Sequence, residues 1–176
     1  DSGIASQAQA AIQEVDRLTR RVDQVLALAT AEPTVETVVI DVGECAQLRV
    51  LEWQGLAARR GISLQCEQEV ARIRSSVGDV ERIIDELVGN ALDYAHSKVL
   101  IAVVGDAEFV HLRVHDDGQG VAAGDQDRVF DRFQRGSGSV PGGTGLGLAL
   151  VRQAASNSGG SVRIIPSTSG ATFEVS

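Results

Sequence analysis

A chain of 176 residues with 43% hydrophobic residues and only 3% aromatic ones can build one ordinary domain whose core is Val, Leu, Ile and Ala. Its net charge of -8 argues against nucleic acid as a partner, and an anionic ligand would have to be met by a cation, backbone N–H groups and a few placed basic side chains. Cys45 and Cys66 lack metal-ligand spacing and read as reduced cytosolic thiols, and no apolar run reaches the ~18 residues of a membrane span.

Residues 4–30 are predicted helical. Ala8, Ala11, Val15, Leu18, Val22, Val25 and Ala29 alternate three and four apart, a heptad seam that serves equally for packing on a globular core or in an intermolecular bundle. Ala31-Glu32-Pro33 ends it. Val38–Ile40 reads as a short strand, Glu44–Arg60 as a helix stopped by Gly61, and Ile62–Glu67 as a half-buried strand. Val77–Ala95 is the next helix, with Val80, Ile83, Ile84, Leu87, Val88, Ala91, Leu92 and Ala95 as its apolar stripe. Strands over 98–104 and 108–115 pair around a turn at Gly105-Asp106. Residues 116–144 form a long loop with a short helical piece near 126–133. A last helix over 144–158 and a hairpin of 161–165 with 171–175 close the chain. Antiparallel strands with helices on one face make an α+β sandwich, and a loop this long inside a compact domain points to function.

Four clusters carry candidate chemistry. Glu86, Asn90 and Tyr94 share one helical stripe, where Asn90 offers an amide oxygen to a hard cation; the same spacing also describes a solvated polar face. Asp116-Asp117-Gly118-Gln119-Gly120 follows a strand, and a buried carboxylate there can accept from an exocyclic amine; it also describes a plain strand-ending turn. Phe130-Asp131-Arg132-Phe133-Gln134-Arg135 sets two aromatic anchors beside two cations that can reach phosphate, and it serves equally as a loop held to the core by two aromatics with Arg residues for solubility. Gly142-Gly143-Thr144-Gly145-Leu146-Gly147 runs straight into an apolar helix, as phosphate-binding helix N-termini do, and serves equally as a hinge.

In this order the four clusters, over residues 38–176, resemble the nucleotide-binding domain of sensor histidine kinases, which belong with the ATPase modules of gyrase and mismatch-repair proteins. The resemblance implies a two-layer sandwich with a mixed, mainly antiparallel sheet and three helices on one face, preceded by one amphipathic helix. It implies ATP and Mg²⁺ as ligands. Asn90 matches the metal ligand, Asp116 the adenine acceptor, Gly118 and Gly120 its pocket, and Tyr94 the ring near adenine. Arg135 matches the cation at the terminal phosphates, Gly143, Thr144, Gly145, Leu146 and Gly147 the phosphate-wrapping turn, and residues 134–143 the lid over ATP. Glu14–Asp23 looks like the second helix of the dimerisation hairpin, so residues 1–32 are expected to be part of that hairpin and 38–176 the catalytic domain.

The expected activity of the whole protein is transfer of the ATP γ-phosphate to a His and then to a response-regulator Asp. Its expected partners are its own hairpin and that regulator; the full protein is expected to be a membrane-anchored homodimer with this part in the cytoplasm, and the fragment a monomer. Two departures stand out. Glu86 replaces the Asn of many members and matches the activating Glu of gyrase-like ATPases and anti-sigma serine kinases, so a serine kinase or ATPase with Glu86 as general base is the alternative. Asp93 replaces a common Lys, so Lys98 or an Arg must make up the missing charge, and a degenerate, non-catalytic module is a third reading. His96, His111 and His115 fall within the nucleotide domain, so the acceptor His is expected upstream of Asp1.

Overall fold

The protein is described by a computed structural model that covers residue 22 and residues 37–106, 108–134 and 144–176. Apart from Val22, the predicted heptad helix lies outside the described residues. Val35–Ser176 is one compact unit.

Strand β1 (Val38–Asp41) leads directly into helix α1 (Val42–Arg59). Asp41 is the N-cap: its Oδ1 accepts from Gly43 N at 3.1 Å and Glu44 N at 3.3 Å, which starts the helix two residues earlier than predicted. Gly61, at φ +70, ends it, with Gly61 N donating to Ala58 O and Ile62 N to Ala57 O. Strands β2 (Ser63–Gln68) and β3 (Arg72–Ser75) precede helix α2 (Val77–Tyr94), then follow β4 (Lys98–Gly105), β5 (Val110–Asp116), α3 (Gly147–Asn157), β6 (Val162–Ile164) and β7 (Ala171–Val175). At the β4–β5 turn, Asp106 Oδ1 accepts from Glu108 N and Phe109 N.

The five-stranded sheet has the order β2-β4-β5-β7-β6, and a two-stranded ribbon pairs β1 with β3. Among the described residues only β2–β4 is parallel, so the sheet is mixed and mainly antiparallel, as expected. Alternation assigns its two faces. Val99, Ile101 and Val103 of β4, Leu112 and Val114 of β5 and Phe173 of β7 are buried with the apolar stripe of α2. The opposite face carries His111, Arg113, His115, Thr172 and Glu174. Glu174 is buried there between Arg113 Nε at 2.6 Å and Arg163 Nε at 2.8 Å, and those two guanidiniums hold its carboxyl below the usual range despite burial.

Helices α1 and α2 are joined by a polar clamp. Arg49 Nε and Nη2 donate to Asp85 at 2.9 and 2.6 Å, and Trp53 Nε1 donates to the same carboxylate at 2.8 Å. The Trp53 ring lies against α2 beside Gly89. Asp85→Ala removes all three bonds and strands three donor nitrogens on two side chains, so it is expected to lower stability by about 2–3 kcal/mol, whereas Glu52→Ala, which removes an exposed partner of Arg49, should cost under about 0.5 kcal/mol. Urea unfolding of both variants measures the difference.

Candidate functional site

The polar stripe of α2 falls where its spacing predicted. Glu86, Asn90 and Tyr94 are half-buried and flank the apolar stripe rather than lying fully opposite it. The Asn90 carboxamide makes no hydrogen bond among the described residues. Asp93, one residue before the end of the helix, pairs with Arg60 Nη1 at 2.7 Å, and the same nitrogen donates to Leu92 O at 3.0 Å.

Two consecutive aspartates then take opposite tasks. Asp117 accepts from His96 N at 2.9 Å, Ser97 N at 3.0 Å, Ser97 Oγ at 2.6 Å and Lys98 N at 3.1 Å, and these donors hold its carboxyl far below the usual range. It thereby fixes the turn between α2 and β4. Asp116, the last residue of β5, is 1% exposed, and burial pushes its carboxyl up. Its Oδ1 accepts from Gly118 N at 2.9 Å and Ala171 N at 3.4 Å, while Oδ2 meets no donor among the described residues. A Cβ on Gly118 would fall onto the Tyr94 carbonyl oxygen and within 2.8 Å of Asp116 Oδ1. The end of α2, Asp116 and Gly118 therefore form one corner. Gly120, at φ +76, and Gly170, at φ +66, pack backbone to backbone behind it. Gly170 and Ala171 belong to this corner and were read from sequence only as part of a hairpin.

Residues 123–134 form successive turns instead of the predicted helical piece; among their bonds only Val129 N to Asp125 O spans four residues. Phe130 is buried, edge-on to Phe173 at 6.2 Å. Phe133 does not anchor as predicted. It is 71% exposed at φ +63, because its N–H turns to donate to Gly145 O at 2.8 Å. Asp131 accepts from Arg152 of α3 at 3.2 Å. Helix α3 starts at Gly147 rather than Thr144, because Gly145 sits at φ +68 and Leu146 N donates to Thr144 Oγ1 at 3.3 Å. Leu146 is buried. Arg135 and Gly143, with the rest of 135–143, lie outside the described residues.

Thus an acid/Asn stripe, a buried Asp at a strand end and a glycine turn at a helix start stand on adjacent elements of one sandwich. The sequence model of the family described as "Histidine kinase-, DNA gyrase B-, and HSP90-like ATPase" matches residues 76–176. The chain belongs to this ATPase family. It is 34% identical over 161 residues to the sensor histidine kinase MtrB of Mycolicibacterium paratuberculosis, covering 85% of this chain and 28% of that protein. With the sensor-like histidine kinase SenX3 of Mycolicibacterium smegmatis it shares 30% identity over 180 residues, covering 96% of this chain and 47% of that one. The chain thus spans half or less of the length of these relatives. In fold it is similar to full-length ShkA in complex with AMPPNP (TM-score 0.79, 24% identity, 97% of this chain and 37% of that one). It is also similar to a nucleotide-free catalytic domain of histidine kinase ThkA (TM-score 0.73, 19% identity, 80% and 94%). The described residues of this ATPase-family chain are a catalytic domain of the sensor histidine kinase type. No helix among them is long and apolar enough to cross a membrane.

A carboxyl whose pKa is raised in the folded state makes ionisation costly there, so Asp116 lowers stability above that pKa and ceases to do so as pH falls through it. Asp116→Asn keeps an acceptor for Gly118 N and Ala171 N without the buried charge. It is expected to melt higher than the parent at pH 7, by about 2–4 °C per kcal/mol relieved, with the difference shrinking in acid. Calorimetric melting across a pH series checks both parts.

Proposed function

We propose that residues 38–176 bind ATP·Mg²⁺ and present its γ-phosphate to a histidine of the whole protein, as the catalytic domain of a two-component sensor kinase. The observation that carries this reading is the Asp116 corner: a buried carboxylate with one oxygen held by backbone N–H groups and the other without a donor suits the exocyclic amine of adenine. Tyr94 and Gly118 bound the ring's place, and Gly120 shapes its far side.

The donor set fits Mg²⁺. Among the described residues no three His, Cys, Asp or Glu side chains come together to cage a metal. One amide oxygen at Asn90, one helical turn from Glu86, suits an ion that keeps its waters and binds chiefly through phosphates. When bound, Mg²⁺ offsets charge on those phosphates. Asn90 orients them, the Thr144–Gly147 turn that leads into α3 receives them, and Arg135 neutralises the charge that develops on transfer. The chemistry is positioning plus charge neutralisation. Glu86 carries the second reading: as a general base it would activate water or a serine hydroxyl. The named relatives favour the first. Residues 1–32 serve as part of the dimerising hairpin, a response regulator is the downstream acceptor, and the domain works on the cytosolic side of a membrane-anchored protein.

Asp116→Asn turns one acceptor oxygen into a donor, so ATP affinity is expected to fall by about 1.5–3 kcal/mol, the worth of a charge-assisted hydrogen bond. Calorimetry measures it; unchanged affinity would remove the adenine assignment. Asn90→Ala is expected to bind ADP equally well with and without Mg²⁺, while the parent binds better with it. A variant that keeps the full metal effect would take the metal role from Asn90.

A further inference from the structure

The last turn of α2 holds a charge arrangement that the nucleotide reading leaves without a task. Asp93 follows Asn90 by three residues, so the two side chains are neighbours on one helix face. A lone carboxylate there would repel the phosphates that Asn90 is to orient. The structure sets Arg60, the residue that caps α1, against it. Arg60 Nη1 bonds both Asp93 Oδ1 at 2.7 Å and Leu92 O at 3.0 Å, so its guanidinium is fixed to the end of α2 from a different element. Its Nε and Nη2 make no hydrogen bond among the described residues, whereas Arg49 engages Nε, Nη1 and Nη2 in its clamp. Lys98 is not placed for the same work. Val99, Ile101 and Val103 lie under the helices, so alternation directs Lys98, with Leu100, to the other face of the sheet.

We propose that the Arg60–Asp93 pair sets how strongly this site holds the phosphate end of its nucleotide, Arg60 supplying from α1 the charge that offsets the repulsion Asp93 would otherwise exert. The proposal rests on the nucleotide reading above. The pair itself adds little to stability, because both side chains are more than a third exposed or close to it. Its effect on a ligand is larger, because each charge acts on every phosphate within a screening length, about 8–10 Å. The two partners therefore have opposite signs of effect, which a purely structural pair does not.

The test titrates adenosine, ADP·Mg²⁺ and ATP·Mg²⁺ into the full 176-residue chain by calorimetry at low and high salt. Arg60→Gln is expected to weaken ATP about fivefold at low salt, ADP less, and adenosine not at all, with the loss fading at high salt. Asp93→Asn is expected to tighten ATP about threefold, and Arg60→Lys to keep the parent's preference for ATP over adenosine. If Arg60→Gln and Asp93→Asn both weaken ATP, or if adenosine and ATP shift together, the pair is only a cap on α2 and the proposal is overturned. A parent chain that binds no adenosine overturns the nucleotide reading and the proposal with it, and the adenosine arm separates that outcome from failure of the pair alone.

Discussion

Position 118 has room for a hydrogen and nothing larger. The carbonyl of Tyr94 on one side and the Asp116 carboxylate on the other occupy the space where any Cβ would go. Everything proposed for the site follows from that close approach, because it presses the end of α2 against the end of β5. The stripe of Glu86, Asn90 and Tyr94 would otherwise be a solvated helix face, and Asp116 an ordinary strand-ending aspartate. Asp117 holds the approach from outside by gathering the N–H groups of His96, Ser97 and Lys98. One aspartate is thus used up in making the corner so that its neighbour can be kept, at a cost in solvation, with an oxygen unused.

Legibility in the sequence followed the kind of force involved. The stripe of α2 was read residue by residue, because seven apolar side chains at helical spacing leave one way to bury them. The alternation of β4 and β5 was equally plain. Strand β3 was not read: Arg72–Ser75 has a single large apolar residue, Ile73, and is a strand because β1 lies beside it, not because of its own pattern. The turns over 123–134 carry helix-compatible residues, but the bond from Phe133 N to Gly145 O takes the chain into the left-handed region and ends any helix. Propensity there yields to a contact between residues twelve apart.

Within the site, the order of motifs was legible and the partners were not. Asp116, Gly118 and Asn90 declared themselves through residue type and spacing. Gly170 and Ala171 did not, since a Ser-Gly pair before a strand is an unremarkable turn until the backbone of residues 116 and 117 is laid against it. The same holds for charge. Asp93 was visible as an anomaly, but its answer lay 33 residues upstream in Arg60, a residue that the sequence marks only as the end of a helix. Opposite charges far apart in a chain carry no signal of pairing.

The bond between Phe133 and Gly145 also bears on how this domain can vary. It joins two residues on either side of the segment 135–143, and Asp131–Arg152 adds a second tie nearby. Asp116, Gly118 and the start of α3 are thereby held by groups outside that segment, so a change in the number of residues between the two ties would leave the sandwich and its corner as they stand.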